Sequence, residues 1–243
     1  MGMQEKSQGY KNLTISSGIR EAAMRNPRKT ALICGTKSLT FRSLVERINR
    51  VANMVIDDCE MTMEDTAAII APNCIEYFEI VCGISEIGAA IATPSPKLNK
   101  NELSAICNDA KAKILFLHSS CKDQIDAGTL DTVKKIVLIG GDYEEWISAG
   151  KIDFESHHVS ETATFSIPYT SGTTGKPKGV MVSHRSRVLG FFGCAVEYGV
   201  FGPEDYFYAI APLCHGAGFA MAMGSIFMGG TCEIAEAFNE EVE

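Results

Sequence analysis

The sequence predicts an α/β fold of mostly parallel sheets flanked by helices. Two observations carry this. Short apolar runs alternate with segments of helical period, and a β-α-β-α-β rhythm of that kind lays its strands parallel with helices packed on them. The chain has 243 residues, of which 46% are hydrophobic and 21% charged. That is the balance of an ordinary globular chain with enough length for a sizeable core, and too apolar for a disordered one.

Residues 30–40 read as a hairpin: the run Ala31-Leu32-Ile33-Cys34, a turn at Gly35-Thr36-Lys37, then Ser38-Leu39-Thr40. The next segment places Phe41, Leu44, Val45, Ile48, Val51, Ala52 and Val55 at helical spacing, with Thr40 as its N-cap. Residues 67–71 form a short apolar strand. Asn73 and Glu76 have the spacing of a capping-box variant and open a helix that runs to Gly88. Residues 89–93 are strand-like. Residues 102–110 put Leu103, Ile106, Cys107 and Ala110 on one helical face, and 114–117 and 136–139 are strands of the buried type.

Residues 140–161 are polar and irregular apart from Tyr143, Trp146 and Ile147. They mark a boundary, with 1–160 as a first α/β part and 161–243 as the start of a second. His157 and His158 fall there. Adjacent histidines diverge on any regular element and no Cys or carboxylate pattern accompanies them, so they read as a solvated loop rather than a metal site. Beyond come a strand at 163–169, a Gly-rich loop, a strand at 180–183 and a helix at 184–198. A strand at 206–211, a turn at Pro212 and an apolar helix follow, with Met221, Met223 and Met228 as core filler.

The formal net charge of -8 argues against a nucleic-acid binder, whose phosphate contacts need clustered Lys and Arg. Nine cysteines, an odd number without a Cys-x-x-Cys pair, sit mostly among apolar neighbours. They read as reduced core thiols of a cytoplasmic protein rather than disulfides or a zinc site. The N-terminal residues lack an apolar signal core. Lys6 stands where a myristoylation motif needs Ser or Thr, and the apolar tract 216–230 is too short and Gly-rich to span a bilayer.

The Gly-rich loop reads Tyr169-Thr170-Ser171-Gly172-Thr173-Thr174-Gly175-Lys176-Pro177-Lys178-Gly179. Glycines let the backbone approach an anion, and successive N–H groups then form a concave anion site. The hydroxyls donate to phosphate oxygens, and lysine adds a compact charge. The Walker loop is ruled out: Gly175-Lys176 is followed by Pro177, which has no N–H to offer, and Gly172 lies too close. A Gly/Ser/Thr-rich hairpin without a ligand has the same composition, but the order of all eleven residues resembles the signature loop of the adenylate-forming superfamily, which includes acyl-CoA synthetases.

The resemblance extends over nearly the whole chain. Leu39-Thr40-Phe41-Arg42-Ser43-Leu44 is similar to an early segment of that family, with Ser43 in place of an acidic residue, and Val182-Ser183-His184 to the segment just after the loop. Pro212-Leu213-Cys214-His215-Gly216-Ala217-Gly218 resembles a motif in which Cys214 takes the place of an aromatic. The resemblance implies ATP contacts at Thr170, Ser171, Gly172, Thr173, Thr174, Gly175 and Lys178, with Lys176 solvated. It implies catalytic roles for Lys178 and His215, and an acid pocket at His215, Gly216 and Ala217. The alternative for His215 is a histidine that caps the following helix. His184 is expected to belong to the framework, and no residue is assigned as a metal ligand.

The family's reaction uses ATP with Mg²⁺, a small carboxylic acid and coenzyme A. Several of its segments are missing: the Tyr-Gly-x-Thr-Glu stretch whose Glu helps hold Mg²⁺, the Thr-Gly-Asp stretch for the ribose, and the C-terminal lysine with its lid domain. The chain is therefore expected to be an N-terminal portion of the large domain that does not turn over alone. Robust ATP–pyrophosphate exchange by these 243 residues would refute that. The alternatives are an adenylation domain that loads a carrier-protein thiol and a non-catalytic nucleotide-binding protein.

Overall fold

The computed structural model describes residues 12–155, 158–170 and 177–235. Helix α1 (Ser17–Arg25) leads into the hairpin β1 (Thr30–Cys34) and β2 (Lys37–Thr40), an antiparallel pair that turns at Gly35 with φ 56°. Thr40 ends the hairpin and caps α2 (Phe41–Asp57), its side chain accepting from the Ser43 N–H at 3.2 Å. Phe41, Leu44, Ile48, Val51, Ala52 and Val55 are buried as the helical period requires.

The chain then alternates. β3 (Thr66–Ile70), α3 (Ile75–Glu86), β4 (Ala90–Ala92), α4 (Lys100–Asp109), β5 (Ala112–His118) and β6 (Lys135–Ile139) build a parallel block in the order β4-β3-β5-β6. β7 (Thr164–Ile167) adds parallel to β4, and β10 (Val182–Ser183) pairs antiparallel with β7 at the edge. Between them β8 (Tyr169–Thr170) and β9 (Lys178–Gly179) form a two-stranded ribbon. Helix α6 (His184–Tyr198), β11 (Tyr206–Ala209), α7 (Gly216–Phe227) and β12 (Thr231–Ile234) follow. β11 and β12 run parallel to each other, and β12 runs parallel to β1, so the second sheet has the order β11-β12-β1-β2. Both sheets draw strands from both sides of residue 160.

Three sequence expectations are corrected. Helix α3 starts at Ile75, not Asn73; Cys74 is its N-cap and makes no side-chain cap. The capping box belongs instead to α4, where Asn99 and Glu102 exchange both bonds. Residues 140–161 are not wholly irregular: α5 (Tyr143–Ser148) lies there, and Tyr143, Trp146 and Ile147 are buried. It is short and flanked by polar residues, which hides its period. The strand read at 206–211 ends at Ala209, leaving residues 210–215 as a turn.

An ion-pair network ties α2 to α3 and α5. Glu79 is fully buried and accepts from Arg47 Nε at 2.6 Å and from the Tyr143 hydroxyl at 2.8 Å. Arg47 also forks onto Glu144 at 3.0 and 2.6 Å. Seven of the nine cysteines are buried. Among the described residues no helix is long and apolar enough to cross a membrane.

Candidate active site

The ribbon β8–β9 is the stem of the Gly-rich loop. Ser171, Gly172, Thr173, Thr174, Gly175 and Lys176 lie outside the described residues, and His157 does as well. Thr170 and Lys178 are described, and they are register partners in the ribbon. Directly opposed residues share one face, so the hydroxyl and the ammonium point the same way at the base of the loop. Both are exposed. The stem is anchored by the Tyr169 hydroxyl, which donates to Asp109 at the end of α4 at 2.7 Å, and by Val180 N–H donating to the Pro168 carbonyl at 2.9 Å. Burial, and then Asp109, push the Tyr169 phenol well above its ordinary range, so it stays a donor. Gly179 has no room for a side chain: a Cβ there would lie 2.7 Å from Ile167 Cγ2.

Across from the stem, the turn after β11 presents His215. Asn73 holds this turn from the other sheet, donating to the Ala211 carbonyl at 3.1 Å and accepting from the Leu213 N–H at 2.8 Å. The residue misread as a helix cap is therefore the clamp between the two sheets. His215 occupies the N-cap position of α7, but its side chain makes no capping bond and is exposed. Gly218 is required by close approach, since a Cβ there would meet the Pro212 carbonyl oxygen at 2.4 Å. Gly218→Ala is expected to lower stability by about 1–3 kcal/mol through overpacking against rigid backbone. Denaturant unfolding checks this, and an unchanged midpoint refutes it.

His215 and Gly216 share a cleft with Ser166 and Pro168, the residues that lead into the loop stem, and with Thr93 and Arg187. Its apolar wall is Val81, Leu213 and Phe219. Ala217 is exposed on the first turn of α7. Cys214 is shared with a second, wider cavity of about 500 Å³ bounded by Ala71, Asn73, Lys97, Ile210 and Ala235. That cavity opens where β3, β11 and β12 end. Ligands of α/β sheets bind outside the carboxyl ends of strands in this way. Burial raises the Cys214 thiol and keeps it protonated, with Ser95 opposing. His184 is fully buried, its Nδ1 accepting from the Ile15 N–H at 3.1 Å and its ring 5.5 Å from that of Phe165. Among the described residues no group of three or more His, Cys, Asp or Glu side chains is arranged to hold a metal ion. These residues do not by themselves fit a magnesium site. Sequence reasoning missed Arg187 in the cleft and Asn73 at the second cavity, because neither belongs to a pattern that announces a ligand.

Two mostly parallel sheets flanked by helices, with the β8–β9 stem of the Gly-rich segment beside the His215 cleft, define the class of α/β protein. The chain belongs to the AMP-binding enzyme family, which matches residues 19–242. It is 29% identical to the 3-methylmercaptopropionyl-CoA ligase of Ruegeria pomeroyi, covering 90% of this chain and 45% of that protein. It is 28% identical to the fatty acid–[acyl-carrier-protein] ligase ScoC of Streptomyces coeruleorubidus, covering 68% of this chain and 32% of that protein. In structure it is similar to a long-chain-fatty-acid–CoA ligase from Archaeoglobus fulgidus, with a TM-score of 0.87 at 24% identity, over 99% of this chain and 50% of that one. The chain thus spans half or less of the length of these relatives. The likeness in structure shows the α/β fold.

Proposed function

We propose that this chain supplies the phosphate loop and the acid cleft for ATP-dependent activation of a carboxylic acid, followed by thioester formation with coenzyme A. The observation that carries the reading is the placement of the loop stem, with Thr170 and Lys178 paired on one face, beside the cleft that His215 and Pro168 line. Family membership supports it. In the first step a carboxylate oxygen attacks the α-phosphorus of ATP. The bond from that phosphorus to the bridging oxygen breaks, and pyrophosphate leaves with the electron pair. Lys178 and the loop donors neutralise the departing polyphosphate, where positive charge and aimed N–H groups stabilise the transition state most. In the second step a thiolate attacks the acyl carbon, the acyl–oxygen bond breaks and AMP leaves. In this reading His215, exposed at the start of α7, donates to the acid or to the adenylate oxygen. ATP enters as its magnesium complex, and the ligands of that ion are not assigned to these residues.

Lys178→Ala is expected to weaken ATP binding about ten- to a hundredfold, the worth of one hydrogen bond to a charged group. Isothermal titration of this chain with Mg–ATP checks it. Equal affinity in the variant removes Lys178 from the site, and no binding by wild type overturns the reading. The acceptor divides a second reading from the first. One relative is a CoA ligase and another an acyl-carrier-protein ligase at nearly the same identity. Acyl transfer by the full-length protein to a pantetheinylated carrier protein, with none to coenzyme A, would favour that second reading. A non-catalytic nucleotide-binding protein would bind ATP and, as the full-length protein, yield no adenylate with any acid.

A further inference from the structure

The two parts of the site stand on different sheets. The loop stem continues β7 in the six-stranded sheet, whereas His215 follows β11 in the four-stranded one. At the end of β11, Ala235 N–H donates to the Ala209 carbonyl at 3.0 Å. Two residues on, Asn73 takes over: Nδ2 donates to the Ala211 carbonyl at 3.1 Å, and Oδ1 accepts from the Leu213 N–H at 2.8 Å. A primary amide carries a donor and an acceptor on one planar group, so it pairs with the chain as a neighbouring peptide would. After Leu213 the turn closes on itself, with His215 N–H donating to the Pro212 carbonyl at 3.1 Å. The His215 side chain makes no bond to the helix it precedes, so its place follows from the backbone of this turn.

Asn73 itself is rigidly founded. It joins β3, which lies between β4 and β5, to α3, which is buried along its whole length. Resting on the function proposed above, we propose that Asn73 is a positioning residue for the reaction. It holds the 210–215 turn against the first sheet, and so sets the distance between His215 and the loop stem. It acts through the backbone of the turn, not on the substrate. Misplacing a reacting group by about 1 Å costs on the order of a hundredfold in rate. Two substitutions separate this role from mere presence. Asn73→Ala removes both bonds. Asn73→Asp keeps the acceptor for Leu213 but sets a carboxylate oxygen against the Ala211 carbonyl, and protonation restores a donor and with it both bonds. The ionisable groups around position 73 are Lys97 on one side and Lys37, Glu76 and His118 on the other, with three thiols among them. Wild type carries the same set, so the ratio to wild type isolates the new carboxyl.

The test uses the full-length protein. Acid-dependent ATP–pyrophosphate exchange is read with acetate, hexanoate, palmitate and benzoate, and Mg–ATP is titrated in parallel. Asn73→Ala is expected to lower the kcat of exchange about ten- to a hundredfold, with Mg–ATP affinity unchanged. His215→Ala is expected to lose activity too. The double variant should be no slower than His215→Ala, because a residue that acts through His215 then has nothing left to place. Asn73→Asp is expected to match Asn73→Ala near about pH 8 and to regain activity relative to wild type toward about pH 5, as its carboxyl protonates. Full activity in Asn73→Ala or in His215→Ala overturns the proposal. So do losses that add in the double variant, a flat Asn73→Asp ratio, or an ATP affinity that falls in step with exchange, any of which reduces Asn73 to a structural tie. Should Asn73→Ala fail to fold, Asn73→Asp with and without His215→Ala decides in its place. These failures leave the function reading standing; a wild type that exchanges with none of the acids removes that reading and this proposal with it.

Discussion

Arg47→Leu is expected to destabilise the fold by about 3–5 kcal/mol at pH 7, the cost of leaving a buried charge without its partner. Glu79 is fully buried in α3, and Arg47 Nε is its cationic neighbour at 2.6 Å. Burial lifts the Glu79 carboxyl above the ordinary carboxylate range, and the Arg47 hydrogen bond and charge, with the Tyr143 hydroxyl, pull it back. With Arg47 gone, only the opposing tyrosine contact remains, and the carboxyl must either stay charged in an apolar setting or take up a proton. A carboxyl whose folded pKa is raised stabilises below the unfolded value and loses that stability as pH rises through the folded value. The loss in Arg47→Leu is therefore expected to shrink as pH falls toward the carboxylate range. Urea titrations at several pH values check this. The pair Arg47→Leu with Glu79→Leu should recover most of the loss, because replacing both partners removes the uncompensated charge. A single variant within about 0.5 kcal/mol of wild type, the usual surface value, would show that Arg47 is not what keeps Glu79 paired.

The second large effect belongs to His184. Its ring is fully buried, and burial lowers its pKa from the ordinary 6.5 to about 4. In the unfolded chain the imidazole titrates near 6.5. As pH falls, the unfolded state takes up a proton first, so stability declines from pH 6.5 down to the folded pKa near 4. At about 1.4 kcal/mol per unit, the whole window amounts to roughly 3 kcal/mol. Protonation would also turn Nδ1 from an acceptor into a donor facing the Ile15 N–H, breaking the bond that ties the N-terminal segment to α6. Comparing wild type with His184→Gln between pH 7 and 4 removes the contribution of the surface carboxylates. Parallel stability profiles for the two proteins would sink the idea.

What was legible in the sequence was local. The period of α2 and its Thr40 cap need only neighbouring residues, and both appear as expected. The α6 limits follow from Ser183 and the Gly199 that ends it in a left-handed turn. The adenylate-forming loop was readable as an ordered string of chemistry, although its tip lies outside the described residues. Asn73 was misread because its spacing to Glu76 imitates a cap, while its real partners, Ala211 and Leu213, belong to the other sheet. Arg187 gave no signal. On α6 it follows Arg185, which pairs at the surface with Glu161, and only the packing of α6 against α7 separates a solvated arginine from one turned into a cleft. The four-stranded sheet was equally opaque, since β12 is a four-residue run with a Glu in it and pairs with the start of the chain.

That pairing governs the order of assembly. Leu32 stands in register with Cys232, and among the described residues β2 pairs only with β1. During synthesis, β3 to β6 find one another within a short stretch of chain. The β1–β2 hairpin must wait until Ile234 has left the ribosome. A lone hairpin is marginal in water, and its unpaired β1 edge is a template for wrong partners. Late arrival of β12 makes that edge the point at which a chaperone, or aggregation, competes with folding.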